Sequence, residues 1–356
     1  MKILVATTMF PNKYNPFSGV FIKNQIKLLR DKFGIESIVI TGDGSNHLTI
    51  LILKKYLLFF IRIIWSAFFK RFDLIHVHFS YPTGFLSLIC KWITGKKLII
   101  TIHGSDINQH QKMNILSRYL IKQTLNTCDH IIAVSDDLRM KMISQFGIST
   151  EKLSVINMGF DRNIFYFHQN EEEKRKETFI ILFVGRLIPV KGFELLIDAI
   201  EKLNLQANSN FECVVIGEGS HRAQYEKTAK EKRLDKIFRF IEPLGQKKIA
   251  TWMRKSNIVV IPSYQEGFGL VAIESLACGT PVIASKVGGL KEIIQDGING
   301  YFITPGGVDE LEEKINLVMN NPNIIPSEVC VESISQFDAE LKVGQIKDLY
   351  TTIIAS

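Results

Sequence analysis

Ile258-Val-Val-Ile-Pro262-Ser-Tyr-Gln-Glu266-Gly-Phe-Gly269-Leu-Val-Ala-Ile-Glu274 reads as a strand, a glycine-bearing turn and the opening of a helix. Four consecutive apolar residues, all of them β-branched, suit a strand buried on both faces. The run from Leu270 to Ala277 is helix-compatible and is closed by Gly279 and Pro281. A strand that turns directly into a helix is the repeating half-unit of a parallel α/β sheet.

The same unit recurs on both sides. Upstream within the same half lie Phe179 to Val184, Phe211 to Ile216 and Phe238 to Ile241, and downstream lie Pro281 to Ala284 and Gly300 to Ile303. Before them come Ile3 to Thr7, Ser37 to Ile40, Leu74 to His78, Leu98 to Ile102, His130 to Val134 and Val155 to Ile156. Between the two series, Phe167 to Thr178 is a charged stretch without apolar periodicity. The fold expected is therefore α/β with two Rossmann-like domains in series: residues 1–166, a linker at 167–178, and residues 179–336. Phe337 to Ile354 reads as a closing helix whose apolar face is Leu341, Val343, Ile346, Leu349, Tyr350 and Ile353.

A length of 356 residues at 46% apolar composition suffices for two such cores and excludes a disordered chain. The five cysteines are scattered, with no CxxC pair, which argues against a disulfide framework or a zinc site and fits a reducing cytoplasm. The N-terminus flows into the first strand with no small-residue cleavage site, so no signal peptide is expected. The net charge of +7 is unevenly shared: residues 1–165 carry 21 basic and 10 acidic side chains. The first half should meet something anionic, and no nucleic-acid motif accompanies it.

Residues 48–69 are the most hydrophobic part of the chain, yet Lys54, Lys55 and Arg62 interrupt them. A spanning helix needs roughly 18 or more apolar residues, so this segment does not span. Lys54, Lys55, Arg62 and Lys70 fall in one helical sector, interleaved with Leu58, Phe59, Trp65 and Phe69. Two readings stand: a core helix with a solvated basic edge, or a helix lying on an anionic membrane surface at Lys54, Lys55, Arg62 and Trp65.

The chemistry-bearing residues sit where parallel strands end. Gly267, Phe268 and Gly269 let a ligand approach the backbone ahead of the helix, whose first N–H groups, at Leu270 and Val271, suit an anion. Glu266 and Glu274 are too far apart to share one atom and could hold opposite ends of an elongated ligand. Val184-Gly-Arg186-Leu-Ile-Pro-Val-Lys191-Gly192 lies on the same sheet edge, so Arg186 and Lys191 can reach the same crevice. Two fixed cations and a helix N-terminus would stabilise a departing diphosphate. No Asp-x-Asp occurs in the chain, so no metal and no cofactor are expected.

In the first half, Leu98 to Ile102 runs into His103-Gly-Ser-Asp106. His103 could bond a sugar hydroxyl, take a proton, or serve only structure. The pair His76 and His78 lacks an evident third ligand for a metal. Ser135 before Asp136-Asp137 reads as a helix cap. Gly19 opens a second backbone anion site ahead of a helix, and Gly217-Glu-Gly219 is half a dinucleotide fingerprint.

Taken together, these motifs resemble the retaining glycosyltransferases of family 4, the group 1 glycosyltransferases, over essentially the whole chain. Glu266 to Glu274 is similar to the family's E-x7-E signature, Arg186 and Lys191 to its diphosphate-binding pair, and His103 to Asp106 to its HGxD segment. The resemblance implies a GT-B fold of two Rossmann-like domains facing a cleft, with residues 337–356 packing back on the first. It implies Glu266 on the transferred sugar's hydroxyls, Glu274 on the ribose, and His103 near the reacting carbon. Gly19, Asp106, Gly217 and the backbone of Gly267 to Val271 would complete the donor site. The implied activity is retaining, metal-independent hexosyl transfer from a nucleotide-sugar to a lipid-linked or saccharide acceptor in surface polysaccharide assembly, such as capsule or lipopolysaccharide. The basic aromatic segment 48–69, apart from the resemblance, adds the expectation of a cytoplasmic protein peripheral at the inner face of an anionic membrane. Where the family usually has a glycine after Phe238 to Ile241, this chain has Glu242-Pro243-Leu244; a UDP-sugar is favoured, with a GDP-sugar as the alternative. A nucleotide-sugar epimerase on the same fold, or a non-catalytic sugar-nucleotide binding protein, are the competing readings.

Overall fold

The structure is a computed structural model and describes residues 1–41, 49–108, 110, 113–168, 178–206 and 210–356. Two compact units emerge, Met1–Met158 with Ala339–Ser356, and Gly159–Asp338. Most of the charged stretch taken as a linker, residues 169–177, lies outside the described residues. Residues 159–166, assigned from sequence to the first domain, cluster instead with the second unit. There Phe160 N donates to Phe337 O at 3.0 Å, Arg162 pairs with Asp338 and Phe165 is fully buried.

The first unit holds β1 (Lys2–Thr7), β2 (Glu36–Thr41), β3 (Leu74–His78), β4 (Leu98–Ile102), β5 (His130–Ala133) and β6 (Leu153–Val155). They form one sheet in the order β2-β1-β3-β4-β5-β6, every pairing parallel. β3 and β4 are buried at every position, which is why they read as unbroken apolar runs rather than alternating ones. The closing helix, Ala339–Ala355, places Val343, Ile346 and Tyr350 in this unit's core beside Ile3, Val5 and Ile22. Tyr350 is wholly buried and its hydroxyl bonds His76 Nδ1. Leu341, counted in the helix's apolar face, is exposed.

The second unit holds β7 (Phe179–Val184), β8 (Phe211–Ile216), β9 (Phe238–Ile241), β10 (Ile258–Ile261), β11 (Val282–Ser285) and β12 (Gly300–Ile303). Their order is β12-β11-β10-β7-β8-β9, again wholly parallel. This is the doubly wound order in which the chain reverses direction between β7 and β10. A ligand crevice opens at such a switch point, outside the carboxyl ends of the two strands. Both sheets have the parallel, Rossmann-like form that the alternation of apolar runs predicts. Each of the twelve predicted strands is present, with β6 beginning two residues earlier than its apolar run suggests.

Candidate functional site

At the β7/β10 switch point is a cavity of about 130 Å³, lined by Val184, Gly185, Lys191, Ser263, Glu266 and the first turn of the helix Leu270–Ala277. Two loops build it. After β7 the chain turns through Gly185 and Arg186 into the short helical turn Pro189–Lys191. At Gly192, φ is +64°, and a Cβ there would stand 2.0 Å from the Pro262 carbonyl oxygen. Only glycine lets the β7 loop lie flat on the backbone that leaves β10. Tyr264 N completes the join by donating to Val190 O at 2.9 Å.

This stapling brings Lys191 to Glu266, Nζ to Oε2 2.6 Å, with both side chains about four-fifths buried at 22% and 17% exposure. Ser263 Oγ lies 3.5 Å from the same carboxylate oxygen. The helix beyond is capped by Gly269, which supplies no side-chain acceptor. Its first carbonyl-directed bonds are those of Ala272 and Ile273 to Gly269 O. The N–H groups of Leu270 and Val271 therefore meet no protein acceptor among the described residues, and they border the cavity. A largely buried cation and two N–H groups without a protein acceptor among the described residues, around one small space, favour an anion there.

Glu274, one turn deeper, is half-buried. Burial pushes its carboxyl up to about 8, against a smaller downward pull from the Gln246 hydrogen bond. Arg186 is exposed at the loop's outer edge and is not part of the cavity lining. Gly217 lies behind that loop, where a Cβ would stand 1.9 Å from Gly185 O. It supports the loop and does not line the cavity. Phe268 is buried against Phe337, ring centroids 5.5 Å apart, so Gly267 and Gly269 flank an anchored side chain.

Sequence reasoning missed three contributors. Ser263, which follows β10, carries no motif signal, and only the fold sets its hydroxyl beside Glu266. Gln246 opens the helix Gln246–Lys255, and only the fold reveals its contact with Glu274. Arg222 bonds the Gly217 carbonyl at 3.1 Å, Glu218 at 2.9 Å, Glu226 at 2.8 Å and Glu242 at 3.0 Å. It thereby fixes both the Gly217 turn and the Glu242-Pro243-Leu244 segment. The sole local signal was its i,i+4 spacing from Glu218 and to Glu226.

In the first unit, His103 follows β4 directly. Its Nε2 lies 3.0 Å from His78 Nδ1, and its ring packs against Phe21 and Phe79 at 4.9 Å each. Burial, with His76 adding to it, pushes His103 down to about 3, so the imidazole is neutral. Gly19, φ +63°, caps the helix Val20–Phe33 without a side chain, and a Cβ there would stand 2.1 Å from Met9 O. Phe21 in that first turn is what brings the Gly19 loop to His103. His76 spends its second nitrogen on Thr101 Oγ1 at 2.7 Å. No group of three His, Cys, Asp or Glu suited to a metal occurs among the described residues. Ser135 accepts from Leu138 N as a helix cap. The Asp106 side chain lies outside the described residues, as does that of Lys54.

The proposed basic face of the helix Thr49–Phe69 is rearranged. Phe59 is wholly buried, Lys55 is half-buried with its amine lowered by burial, and Arg62 donates to the Thr41 carbonyl at 2.8 Å. Trp65 is half exposed at 50%, and Arg62 is exposed as well. No helix among the described residues is long and apolar enough to cross a membrane.

Comparison with known proteins now decides the family. The model described as glycosyl transferases group 1 matches residues 166–333, and that described as Glycosyltransferase Family 4 matches residues 29–163. An uncharacterised glycosyltransferase of Methanocaldococcus jannaschii is 32% identical over 342 residues, covering 90% of this chain and 91% of that protein. The chain belongs to the group 1 glycosyltransferases. A D-inositol 3-phosphate glycosyltransferase of Kribbella flavida is 27% identical over 274 residues, 70% of this chain and 64% of that one. Among solved structures, sucrose-phosphate synthase of Thermosynechococcus elongatus superposes with a TM-score of 0.84 at 20% identity, covering 99% of each chain. HepE of Anabaena, in complex with UDP-glucose, does so with a TM-score of 0.77 at 21% identity, covering 99% of this chain and 100% of that one. The fold of this glycosyltransferase is of the GT-B type.

Proposed function

We propose that this glycosyltransferase moves a hexosyl unit from a nucleotide-sugar, with retention of anomeric configuration and without a metal ion, to a lipid-linked or saccharide acceptor in surface polysaccharide assembly. The observation that carries the reading is the Lys191–Glu266 pair beside the unpaired N–H groups of Leu270 and Val271 at the β7/β10 switch point. When the bond from the anomeric carbon to the phosphate oxygen breaks, the electron pair leaves with the diphosphate. Lys191 and the helix N-terminus meet that growing charge with groups already in place, and Arg186, exposed at the outer edge of the same loop, would turn in to join them. Glu266, held by Lys191, would orient the hydroxyls of the transferred sugar, and Glu274 would accept from the ribose. Neutral His103 would hydrogen-bond the sugar near the reacting carbon, with Gly19 and Asp106 completing the donor contacts from the first unit's loops.

A UDP-sugar is preferred as donor, in keeping with the UDP-glucose held by the HepE relative in fold; a GDP-sugar is the alternative. The test is a panel of UDP- and GDP-sugars incubated with the purified chain in EDTA, following nucleotide release and the anomeric configuration of any product by NMR. Turnover of one donor that survives EDTA and gives a retained product is the expected result. Nucleotide release with no transferred sugar, or conversion of the donor sugar itself, would replace this reading with a binding or epimerase function.

A further inference from the structure

The first unit carries a surface that the transfer chemistry leaves unused. On the helix Thr49–Phe69, Leu57, Ile61, Trp65 and Phe68 are 50–66% exposed and recur every three or four residues. That spacing sets them in one stripe along one side. The helix Phe85–Thr94 packs beside it and adds exposed Trp92. The stripe ends at a cavity of about 530 Å³ whose lining includes Lys2, Lys70, Arg71, Lys96 and Asp73. Lys2 is paired with Glu36 at 3.1 Å, and Asp73 is occupied by the Lys2 backbone N–H at 2.7 Å. Lys70, Arg71 and Lys96 have no carboxylate partner among the described residues. Lys70 instead lies over the Trp65 ring, 4.8 Å from its centroid.

An exposed aromatic stripe bordered by three unpaired cations has the composition of a surface that sits at the boundary between lipid headgroups and acyl chains. Tryptophan spans the wet and apolar sides of that boundary, and lysine and arginine meet headgroup phosphates. We infer that this face docks on a bilayer containing anionic phospholipid, with Trp65 and Phe68 entering the acyl border and Lys70, Arg71 and Lys96 receiving a headgroup phosphate. The charge complementarity is local to the cavity as well as general to the basic first half. The residues differ from the basic sector read in the sequence, because Lys55 is half-buried and Arg62 donates to the Thr41 carbonyl.

The surface is also separate from the loops of Gly19 and His103. Lys2 opens β1, Asp73 precedes β3 and Lys96 precedes β4, so the cavity lies at the amino-terminal edge of the sheet. Gly19 and His103 lie at the carboxyl edge, on the order of 15 Å away along a five-residue strand. Docking and sugar transfer can therefore be tested independently.

The experiment is co-sedimentation of the full chain with vesicles of phosphatidylcholine, alone or mixed with phosphatidylglycerol. Binding to the mixed vesicles that weakens with added salt is expected. Lys70→Glu with Lys96→Glu should lower it by tens of fold, roughly fivefold or more for each charge removed or reversed near an anionic surface. Trp65→Ala with Phe68→Ala should lower binding comparably, with thermal unfolding and donor turnover unchanged, since both side chains are exposed. Lys55→Gln should leave it within about twofold of the parent, an isolated half-buried cation contributing little at the surface. No binding to mixed vesicles, or binding indifferent to both double variants, overturns the inference. A dimer in solution that Trp65→Ala with Phe68→Ala dissociates, without vesicle binding, overturns it in favour of self-association.

Discussion

Lys191 and Glu266 hold each other in a geometry that neither would keep alone. The pair is largely withdrawn from water, so each partner is fixed before any ligand arrives, and a preorganised charge costs no reorganisation as the leaving group departs. Lys191→Ala should lower kcat by about 10²–10³-fold, the usual cost of deleting one such donor. Ser263→Ala, which removes only a 3.5 Å contact, should cost under about tenfold. Steady-state kinetics with the preferred donor check both. Glu274 makes a separate prediction through its carboxyl, which burial raises to about 8. The folded state then binds this proton more tightly than the unfolded chain. The stability it contributes is fully present below the ordinary carboxylate range and is lost as pH rises through about 8. Thermal midpoints measured across pH 5 to about 9 should fall more steeply for the parent than for Glu274→Gln.

At the scale of elements, strand-ending loops do the positioning, and glycines set how closely they approach. Gly192→Ala forces a Cβ against the Pro262 carbonyl at a backbone angle L-residues avoid. It should destabilise the second unit by about 1 kcal/mol or more and also displace Lys191, read as a lowered urea midpoint together with a lowered kcat. The closing helix is pinned by Tyr350 to His76. Tyr350→Phe leaves a buried ring nitrogen without its partner and should cost about 1–3 kcal/mol in urea unfolding. Such features were unequally visible in the sequence. β10, its glycine turn and the following helix were legible because consecutive apolar residues, glycine and helix propensity are local signals. The Lys191–Glu266 contact was legible only as a shared sheet edge, since 75 residues separate the partners. Arg222, Gln246 and the His78–His103 bond were not legible, because each depends on which neighbours the topology delivers. Phe59 was misplaced for the same reason: helical periodicity gives the sectors of a helix, and only packing decides which sector faces the core.

For the molecule as a whole, the two units divide the chemistry by charge. The second unit has a net acidic charge yet sets Lys191 at the switch point, whereas the first unit carries the basic excess and places Lys70, Arg71 and Lys96, which have no carboxylate partner among the described residues, beside exposed aromatics. A diphosphate can be drawn by Lys191 and the helix N-terminus even though net charge around them is unfavourable, because fields at short range in a partly buried site are weakly screened. All five cysteines are buried and free, so reducing agents should leave activity unaltered. We propose that the β7/β10 switch point of the second unit holds the nucleotide diphosphate. It is tested most directly by titration calorimetry of UDP and GDP into the full chain in EDTA, comparing the parent with Lys191→Ala and Trp65→Ala. Saturable binding of one nucleotide that Lys191→Ala weakens by about tenfold or more and Trp65→Ala leaves intact is the predicted result. Equal affinity in the parent and Lys191→Ala, or binding of neither nucleotide, would contradict it.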